Sequence, residues 1–372
     1  MNGLEAAAPA AGRAAEQARF RRERRRAALA QLVRTVGTVV IALVFGFVIT
    51  LFVSDRPVQA YLALLTGPVS SAARVGTWIE DATTLTMLGL SIAVVFRAQQ
   101  FSLLAEGQLY LGALAAGIIA LKVPAPAPLH LAIAVLGAAA AAFAFGLIPG
   151  ALKAYYGANE IVSTLMLNVV AVRTYDLLLT YWLKPPGAGY TWSDPFPPSA
   201  VFTRFLEGSR INTALFVAAA LVVLTWFLVY KTPLGYELRM VGANLEFARY
   251  GGIDVRRTIM LSMALAGIPA GLAGAHLAMG VHQRLLLNIS LGLAFEGIVV
   301  ALMAGNHPLL VPLAALLYSY LRIGGDIMER TAAVGSDIVR VIQATIILFI
   351  TAELLVGVSR RRQARRTADA AG

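Results

Sequence analysis

Long apolar segments, separated by shorter polar stretches, account for most of this chain. A segment of about 20 apolar residues can cross a hydrocarbon core about 30 Å thick as an α-helix, and the sequence contains ten candidates. Six are continuous, and four are short or interrupted by Gly, Pro or polar residues. The continuous segments are 35–53, 129–149, 160–182, 212–230, 258–280 and 337–356, and the interrupted ones are 83–97, 102–121, 289–304 and 309–324. The pattern predicts an all-α, polytopic membrane protein with about ten transmembrane helices.

The interrupted segments are predicted to lie in the middle of the helix bundle. A broken helix is tolerated at membrane depth only where protein or a water-filled cavity covers its freed backbone groups. Close helix contacts are indicated by two Gly pairs with four-residue spacing, Gly146 with Gly150 and Gly267 with Gly271. Small residues at this spacing let helix backbones approach each other in lipid.

The composition supports a membrane protein and limits what the positive charge can mean. Hydrophobic residues make up 58% and charged residues 14% of the 372 residues, with a mean hydropathy of +0.73, whereas soluble domains have about 25% charged residues. The net charge is +11, and most of it comes from the two ends, with eight Arg against three Glu in 1–34 and five Arg against one Asp in 360–372. Basic residues beside membrane segments mark cytoplasmic sequence. We therefore predict cytoplasmic tails at 1–34 and 357–372, and no nucleic-acid surface.

Counting crossings from a cytoplasmic N-terminus places the loop 184–211 outside and the loop 231–257 inside, within a transmembrane domain that covers 35–356. The outer loop is rich in Pro and Gly and predicts an ordered cap rather than a helix. The inner loop carries five Lys or Arg against three Asp or Glu, as the positive-inside rule expects. The run 35–53 has 19 residues, longer than the apolar region of a signal peptide, and we interpret it as a retained helix.

Enzymatic chemistry has no motif in this sequence. The chain has no Cys, which excludes disulfides, zinc-thiolate sites and a Cys nucleophile. A phosphate-binding GxxxxGK[ST] loop requires Lys directly after Gly, and each of the four Lys follows Leu or Tyr. HExxH and GxSxG are absent, and the four His are scattered. We predict no bound cofactor or metal and no ATP hydrolysis by this chain.

Polar residues within the apolar segments are the candidates for a translocation path. Such residues are costly in the membrane unless they face the bundle interior or water. The alternative is a structural role, at helix ends near the headgroups or in pairs that hold helices together. Arg173 and Asp176 fit that alternative, because residues three apart on a helix can form an ion pair. The predicted path residues are Glu106, Gln108, Asn159, Asn168 and Glu296.

Four sequence runs, in this order, resemble the permease subunits of bacterial ABC importers. They are AEGQLYLGALAAG, GANEIVSTLMLN, GYELRMVGANLEFARYGGIDVRRT and FEGIVVALMAGNHPLLVPLAALL. The resemblance covers about 35–356 and is to the simple-sugar and nucleoside permeases, in the branch that also includes branched-chain amino acid permeases. The NEIVSTLMLN run and the outer loop are most similar to the nucleoside permeases of the guanosine type. This chain departs from the family where FSLL replaces an FNIG-like stretch before AEGQ.

The resemblance implies a type II importer-like fold and a set of partners. These are a separate ATPase subunit that uses ATP and Mg, a second permease subunit that is homologous or identical, and a substrate-binding protein on the outer side. It also implies the bacterial cytoplasmic (inner) membrane as the location, with the lipid bilayer around the helices.

The resemblance further implies that part of the loop 231–257 docks on the ATPase. Asn244 can cap a short helix that Gly251 and Gly252 end, and Gly242 is predicted to break the chain before it. An ordinary solvated loop is the alternative. The predicted coupling residues are Glu237, Arg239, Asn244, Glu246, Phe247, Arg249 and Tyr250.

The leading hypothesis is therefore a nucleoside permease driven by a partner ATPase. A ribose-like sugar permease is the first alternative, and a branched-chain amino acid permease ranks behind both. An ion-coupled secondary transporter would need a carboxylate relay within the spans, for which Asp176 and Glu296 are the available residues. A channel or an assembly protein without transport activity is a further alternative.

Overall fold

The computed structural model describes most of the chain between the two basic ends. The predicted tails 1–34 and 357–372 lie outside the described residues, as do parts of the predicted spans 35–53 and 337–356. The described residues are 37, 40–52, 54–127, 129–205, 208–332, 335, 337–349 and 351–352.

The regular secondary structure of the described residues is all helical, with no strand among them, as the apolar pattern predicted. Most helices begin or end a few residues away from the predicted limits, and α3 and α12 extend the interrupted segments 83–97 and 309–324 well beyond them. The short helix α2 was not predicted. The helices are α1 (Val40–Phe52), α2 (Pro57–Thr66), α3 (Ala72–Arg97), α4 (Ala105–Lys122), α5 (Leu129–Tyr156), α6 (Glu160–Leu183), α7 (Ala214–Lys231), α8 (Pro233–Ala243), α9 (Leu245–Tyr250), α10 (Val255–His282), α11 (Leu293–Met303), α12 (Val311–Ala332) and α13 (337–349).

The chain divides into two compact units, residues 1–61 with 328–372 and residues 62–327. In the described part of the first unit, α1 packs against α13. The Phe45 and Phe349 rings lie 5.9 Å apart, and a Cβ on Gly46 would lie 3.2 Å from the Ile346 side chain. The packing between α1 and α13 is apolar.

The centre of the second unit is α3. Within its most apolar stretch, 94% of α3 is buried inside the protein, and the corresponding share of α10 is 78%. The shares for α5, α6 and α7 are only 22%, 22% and 33%. The interrupted segment 83–97 therefore belongs to the helix in the middle of the unit, as predicted, while three continuous segments form its outer surface.

Five described helices are long and apolar enough to cross a membrane: α3, α5, α6, α7 and α10. The predicted span 289–304 is not one continuous crossing, because its helix α11 has only 11 residues. At 1.5 Å per residue such a helix covers about 16 Å, roughly half of the hydrocarbon core. Gly292, with φ +88°, and Leu291, with φ +51°, precede α11 in left-handed conformations. They are the last residues of the non-helical stretch 283–292, which separates α11 from the end of α10 at His282.

Glycines hold α4, α5 and α10 in close contact, as their spacing predicted. A Cβ on Gly267 would lie 2.3 Å from the Ala142 carbonyl oxygen of α5, and one on Gly146 would lie 2.5 Å from the Met263 carbonyl oxygen of α10. The two Gly pairs therefore belong to one α5–α10 interface. On its other side, α10 approaches α4 where Gly112 faces Gly271.

Exposed aromatic residues mark the ends of α5 and α6. Tyr155 and Tyr156 end α5, and Tyr181 and Trp182 lie in the last turn of α6. Tyr and Trp at helix ends are typical of the two membrane–water interfaces. The positions of these residues are consistent with α5 and α6 as full crossings.

Candidate translocation path and coupling segment

Glu106 caps the half-length helix α11. It lies in the first turn of α4, and its carboxylate accepts hydrogen bonds from the backbone N–H groups of Gly292 (3.2 Å) and Ala294 (3.1 Å). The N-terminus of a helix carries unpaired N–H groups and partial positive charge, so a carboxylate is a suitable cap. Glu106 is buried. The predicted path residue therefore stabilises the break in the chain before α11.

Asn168 holds the start of α4 in the same way. Its Oδ1 accepts from the Gly107 N–H at 2.8 Å, and its Nδ2 donates to the Leu103 carbonyl at 2.6 Å. One turn earlier on α6, Thr164 Oγ1 accepts from the Leu103 N–H at 3.2 Å. Leu104, the residue at the N-cap of α4, has no side chain that could cap. A neighbouring helix thus supplies the missing hydrogen bonds to the FSLL stretch.

Gln108 and Asn159 also bond to the backbone. The Gln108 amide is buried at the three-helix junction and donates to the carbonyls of Met263 (3.1 Å) and Ala142 (3.4 Å). Asn159 lies at the N-cap of α6 and accepts from the Ile161 N–H at 3.0 Å. These contacts give both residues a structural role. That either residue lines the path stays a prediction. The structure places Asn159 at a helix end, apart from the break next to Glu106.

Glu296 belongs to an ion-pair network that the sequence did not predict. Arg322 of α12 bonds to Asp81 of α3 through Nη1 (2.5 Å) and approaches Glu296 of α11 through Nε (3.4 Å). Ser319, one turn before Arg322, donates to Asp81 at 2.7 Å. The network therefore ties α3, α11 and α12 together. Asp81 lies just before the predicted span 83–97 and Arg322 lies near the end of the predicted span 309–324, and no local pattern in the sequence links them.

Part of this network is exposed on the protein surface. The side chains of Glu296 and Arg322 are 29% and 28% exposed. Charged groups at membrane depth face the bundle interior, water or another protein rather than lipid. The surface beside Glu296 is therefore the strongest candidate in the second unit for one side of an aqueous path. By contrast, Arg173 and Asp176 form the intrahelical ion pair expected of them, at 3.4 Å.

The described part of the loop 184–211 packs on the protein and forms no long helix, as predicted. Apart from one short 3₁₀ turn its described residues are not helical. Backbone hydrogen bonds join it to the chain at the end of α10, where the Phe196 N–H donates to the Gln283 carbonyl (2.9 Å) and the Ser193 N–H to the Leu285 carbonyl (3.0 Å). The loop thus lies directly on the segment that leads into the break before α11.

The loop 231–257 forms two helices, and its predicted cap is confirmed. Asn244 Oδ1 accepts from the Phe247 N–H at 3.0 Å, which begins α9, and Gly251 follows the last residue of that helix. The prediction that Gly242 breaks the chain was wrong, because α8 continues through it to Ala243. A Cβ on Gly242 would lie 2.1 Å from the Arg97 carbonyl oxygen. A glycine at this position allows the backbone of α8 to approach the end of α3 closely.

Glu237 and Arg239 of α8 make internal contacts. Glu237 accepts from Thr258 Oγ1 of α10 at 3.4 Å. Arg239 donates to the Val229 carbonyl, and its guanidinium lies 5.4 Å from the centre of the Tyr230 ring. These contacts anchor α8 to α7 and α10.

Sequence reasoning missed a cluster around Tyr230, at the end of α7. Arg97 lies over the same ring at 5.6 Å and donates to the Asn306 carbonyl at 2.9 Å. The His307 ring lies against the Tyr230 ring with centroids 5.2 Å apart, and burial together with the charge of Arg97 lowers the pKa of His307 below its ordinary value. The cluster connects the C-terminal ends of α3 and α7 with α8 and with the turn after α11.

The outward side of α9 is aromatic. Tyr250 is 91% exposed and Phe247 is 61% exposed, whereas Ala248 packs inward. Glu246 and Arg249 form an exposed ion pair at 3.2 Å, which contributes little to stability. An exposed Phe and Tyr within a charged rim are typical of a protein-binding surface.

We predict that Glu106→Ala lowers the melting temperature clearly and Glu106→Gln lowers it less. Alanine leaves the N–H groups of Gly292 and Ala294 unpaired, and a hydrogen bond to a charged group contributes about 1.5–3 kcal/mol. The glutamine oxygen can still accept from one of them. Thermal unfolding of the purified chain in detergent measures the difference. Glu246→Ala, which removes an exposed carboxylate, is the control, and equal shifts for all three variants would contradict the capping role.

These contacts define a polytopic α-helical membrane protein with a half-length helix, α11, and a segment of two short helices, α8 and α9, that leaves Phe247 and Tyr250 exposed. Residues 74–351 match the family described as "Branched-chain amino acid transport system / permease component". The chain belongs to this family of ABC transporter permeases.

Similar proteins cover nearly the whole chain. A guanosine ABC transporter permease protein of Bacillus subtilis is 33% identical over 331 residues, 88% of this chain and 95% of that protein. A nucleoside ABC transporter permease protein of Lactococcus lactis is 31% identical over 339 residues, 87% of this chain and 93% of that protein. A glucose ABC transporter permease protein of Haloferax volcanii is 33% identical over 359 residues, with 91% and 93% covered. No solved structure matches the chain significantly.

The family assigns this chain to the membrane subunits of ABC transporters, which are not themselves enzymes. The five apolar helices agree with a membrane location. Permease subunits of this class work with an ATPase and a substrate-binding component.

Proposed function

We propose that this chain is a nucleoside-translocating permease subunit of an ATP-driven importer in a bacterial cytoplasmic membrane. The observation that carries the substrate is the similarity to a guanosine and a nucleoside permease, which extends over 88% and 87% of this chain. A sugar permease is the second candidate, because the glucose permease of Haloferax volcanii is 33% identical over 91% of the chain. Nucleosides and sugars both carry several hydroxyl groups.

The proposed path runs beside the break before α11. Glu296 is the leading lining residue, since it is charged, partly exposed and in the half-length helix itself. Glu106, Gln108 and Asn168 support the geometry around the break, and a direct contact with substrate is a further proposal for them. Because α11 is a half-length helix bounded by left-handed residues, it is also the element at which the path can change shape.

The proposed coupling segment is α8 with α9. The exposed Phe247 and Tyr250 would enter a groove on a separate ATPase subunit, which binds ATP and Mg, while Glu246 and Arg249 form the rim. Glu237, Arg239 and Asn244 would hold the segment in shape. The internal contacts of Arg239 and the cap made by Asn244 support this division of roles.

The proposed topology has both termini in the cytoplasm, the loop 184–211 outside and the loop 231–257 inside. A substrate-binding protein would dock on the outer loop, and a second permease subunit, identical or homologous, would complete the path. The opposite placement of the two loops is supported by α7, which connects them and is apolar enough to cross the membrane.

Uptake into proteoliposomes tests the function. The vesicles contain this chain with its genomically neighbouring ATPase, permease and binding protein, and the panel contains purine and pyrimidine nucleosides, ribose, glucose and leucine. We expect ATP-dependent uptake of nucleosides. Uptake of a sugar alone would show that the substrate is a sugar and would leave the proposed ATP-driven mechanism unchanged. Uptake that persists without ATP and the ATPase would contradict the proposal and favour an ion-coupled transporter.

A further inference from the structure

His276 joins three elements near the outer end of the second unit. It is the first residue of a π-helical end of α10, His276–His282, and is 1% exposed. Its Nδ1 lies 3.0 Å from Thr84 Oγ1 of the central helix α3. Its Nε2 lies 3.2 Å from Nδ2 of Asn212, just before α7. π-Helical turns of this kind occur frequently at functional sites.

The direction of each hydrogen bond follows from the neighbours. Asn212 Nδ2 also donates to the Arg210 carbonyl (3.2 Å), and its Oδ1 accepts from the Ala214 N–H (3.0 Å). These backbone contacts fix the orientation of the amide, so His276 Nε2 accepts from Asn212 and its Nδ1–H donates to Thr84. The Thr84 hydroxyl has a carbonyl of its own helix as acceptor, that of Glu80 at 3.4 Å. Every donor in this series of hydrogen bonds has an acceptor. The other neutral tautomer of His276 could not make the same contacts.

Asn212, at one end of this series of hydrogen bonds, also lies at the start of α7. The N–H of Ala214, the first residue of the helix, donates to Asn212 Oδ1, and α7 then runs 18 residues to Lys231. At 1.5 Å per residue α7 is about 27 Å long. One residue, Thr232, separates it from α8, and Thr232 Oγ1 accepts from the Gly235 N–H at 3.1 Å. Arg239 fixes the same corner by donating to the Val229 carbonyl. Both ends of α7 are therefore attached firmly, one to the outer segment and one to the coupling helix.

The sides of α7 are packed loosely in comparison. A groove of about 260 Å³ lies between α7, α3 and α12, where Thr83, Ala219 and Leu316 are among the lining residues. A second groove, of about 160 Å³, lies between α7, α3 and α10, next to Leu224 and Pro269. Both grooves are open at the surface, and only 33% of the most apolar stretch of α7 is buried inside the protein. A helix that is held at its ends and packed loosely along its sides can shift as one body.

We propose that His276 is a positioning residue that links the outer surface of this permease to its coupling segment through α7. When the outer segment 208–212 is displaced, α7 moves with it. The hydrogen bonds of His276 determine how far α7 shifts relative to the central helix α3. Movement of α7 is passed to α8 through the fixed corner at Thr232. The part of this inference that names a docked binding protein as the cause of displacement rests on the proposed function.

A matched control for His276 is present in the same protein. His130 of α5 is also buried, and it also ties the outer loop to a helix, through Ser199 Oγ (2.9 Å) and the Ile119 carbonyl (3.3 Å). The contacts of His130 are with the 3₁₀ turn and α4, and they do not include α7. Loss of His130 removes a similar number of hydrogen bonds without touching the proposed link.

The first experiment uses the permease alone. The chain has no Cys, so spin labels can be placed on the exposed residues 156 and 236 as the variants Tyr156→Cys and Tyr236→Cys. We expect His276→Ala and Thr84→Val to shift or broaden the distance distribution between the labels at this cytoplasmic side. We expect His130→Ala and Thr84→Ser, which keeps the hydroxyl, to leave it unchanged. An unchanged distribution in both His276→Ala and Thr84→Val would overturn the link, as would equal broadening in His130→Ala.

The second experiment uses the assembled transporter and measures the ratio of ATPase activity with and without the binding protein. We expect His276→Ala and Thr84→Val to lower this ratio by about two- to thirtyfold, the range that mutated connecting residues span in other coupled proteins. Basal ATPase activity and assembly should be retained, and Thr84→Ser should restore the ratio. A ratio equal to wild type in Thr84→Val would overturn the inference. If the wild-type complex shows no stimulation, the proposed function fails, and the label distances still decide the role of His276.

Discussion

The double variant Phe247→Ala, Tyr250→Ala is expected to lose ATP-driven uptake by tenfold or more while the protein still folds and inserts. Both side chains are largely exposed, at 61% and 91%, so their removal costs little internal packing. Aromatic anchors of protein interfaces contribute about 2 kcal/mol or more each, and about 1.4 kcal/mol corresponds to a factor of ten in affinity. Uptake in proteoliposomes and pull-down of the ATPase measure the two effects separately.

Tyr156→Ala is the matched control for this variant. Tyr156 is an 82% exposed tyrosine at the end of α5, outside the coupling segment, and its loss should leave ATPase binding unchanged. The pair Glu246→Ala, Arg249→Ala removes the exposed ion pair, and we expect it also to uncouple transport in a folded protein. If the aromatic double variant binds the ATPase and transports like wild type, α9 is not the docking element.

The variant Gly271→Leu is expected to abolish the folded protein. Added side-chain atoms at this position would meet the Ala138 carbonyl oxygen at 2.6 Å, and the Gly112 backbone of α4 approaches from the other side. Backbone on two sides cannot move away as a flexible side chain can, so α4, α5 and α10 must separate. Overpacking of a tight core costs about 1–3 kcal/mol even where some repacking is possible. Size-exclusion chromatography in detergent measures the folded yield, which should fall to a small fraction of wild type.

Gly189→Ala serves as the control for that experiment. Gly189 lies in the outer loop, and a Cβ there meets no atom within 4 Å. Its yield should equal that of wild type. A normal yield of Gly271→Leu would mean that the three helices are not packed as the structure has them.

The apolar pattern predicted the helices well and their places in the bundle only in part. The three continuous segments that became α5, α6 and α7 expose most of their surface, since only 22%, 22% and 33% of their most apolar stretches are buried. The helix α3 is 94% buried along its most apolar stretch and can carry Asp81 because Arg322 and Ser319 lie against it. The segment 258–280 was as continuous as the outer ones, yet α10 is largely buried. Apolarity alone does not distinguish contact with lipid from contact with protein.

The coupling segment was predicted in more detail than the path. Asn244, the apolar positions of α9 and Gly251 act on neighbours within a few residues, so their spacing is sufficient to predict a capped helix. The break before α11 depends on Glu106, which is 186 residues away from Gly292. The partners of Asn168, Gln108 and Glu296 are likewise on other helices. A local sequence pattern cannot predict such contacts between residues far apart in the chain.

The sequence by itself determined the all-α membrane class, the family, the glycine contacts and the capped helix of the coupling segment. These follow from composition, from spacing along one helix and from hydrogen bonds between close neighbours in the chain. Only the tertiary structure decided that α11 is a half-length helix, that Gly242 is a contact rather than a break, and that His276 connects α3 with the start of α7. Each of these depends on two segments far apart in the chain that meet in the folded protein. The physical reason is that burial, unpaired backbone groups and charge are satisfied across the bundle, wherever folding brings a suitable partner.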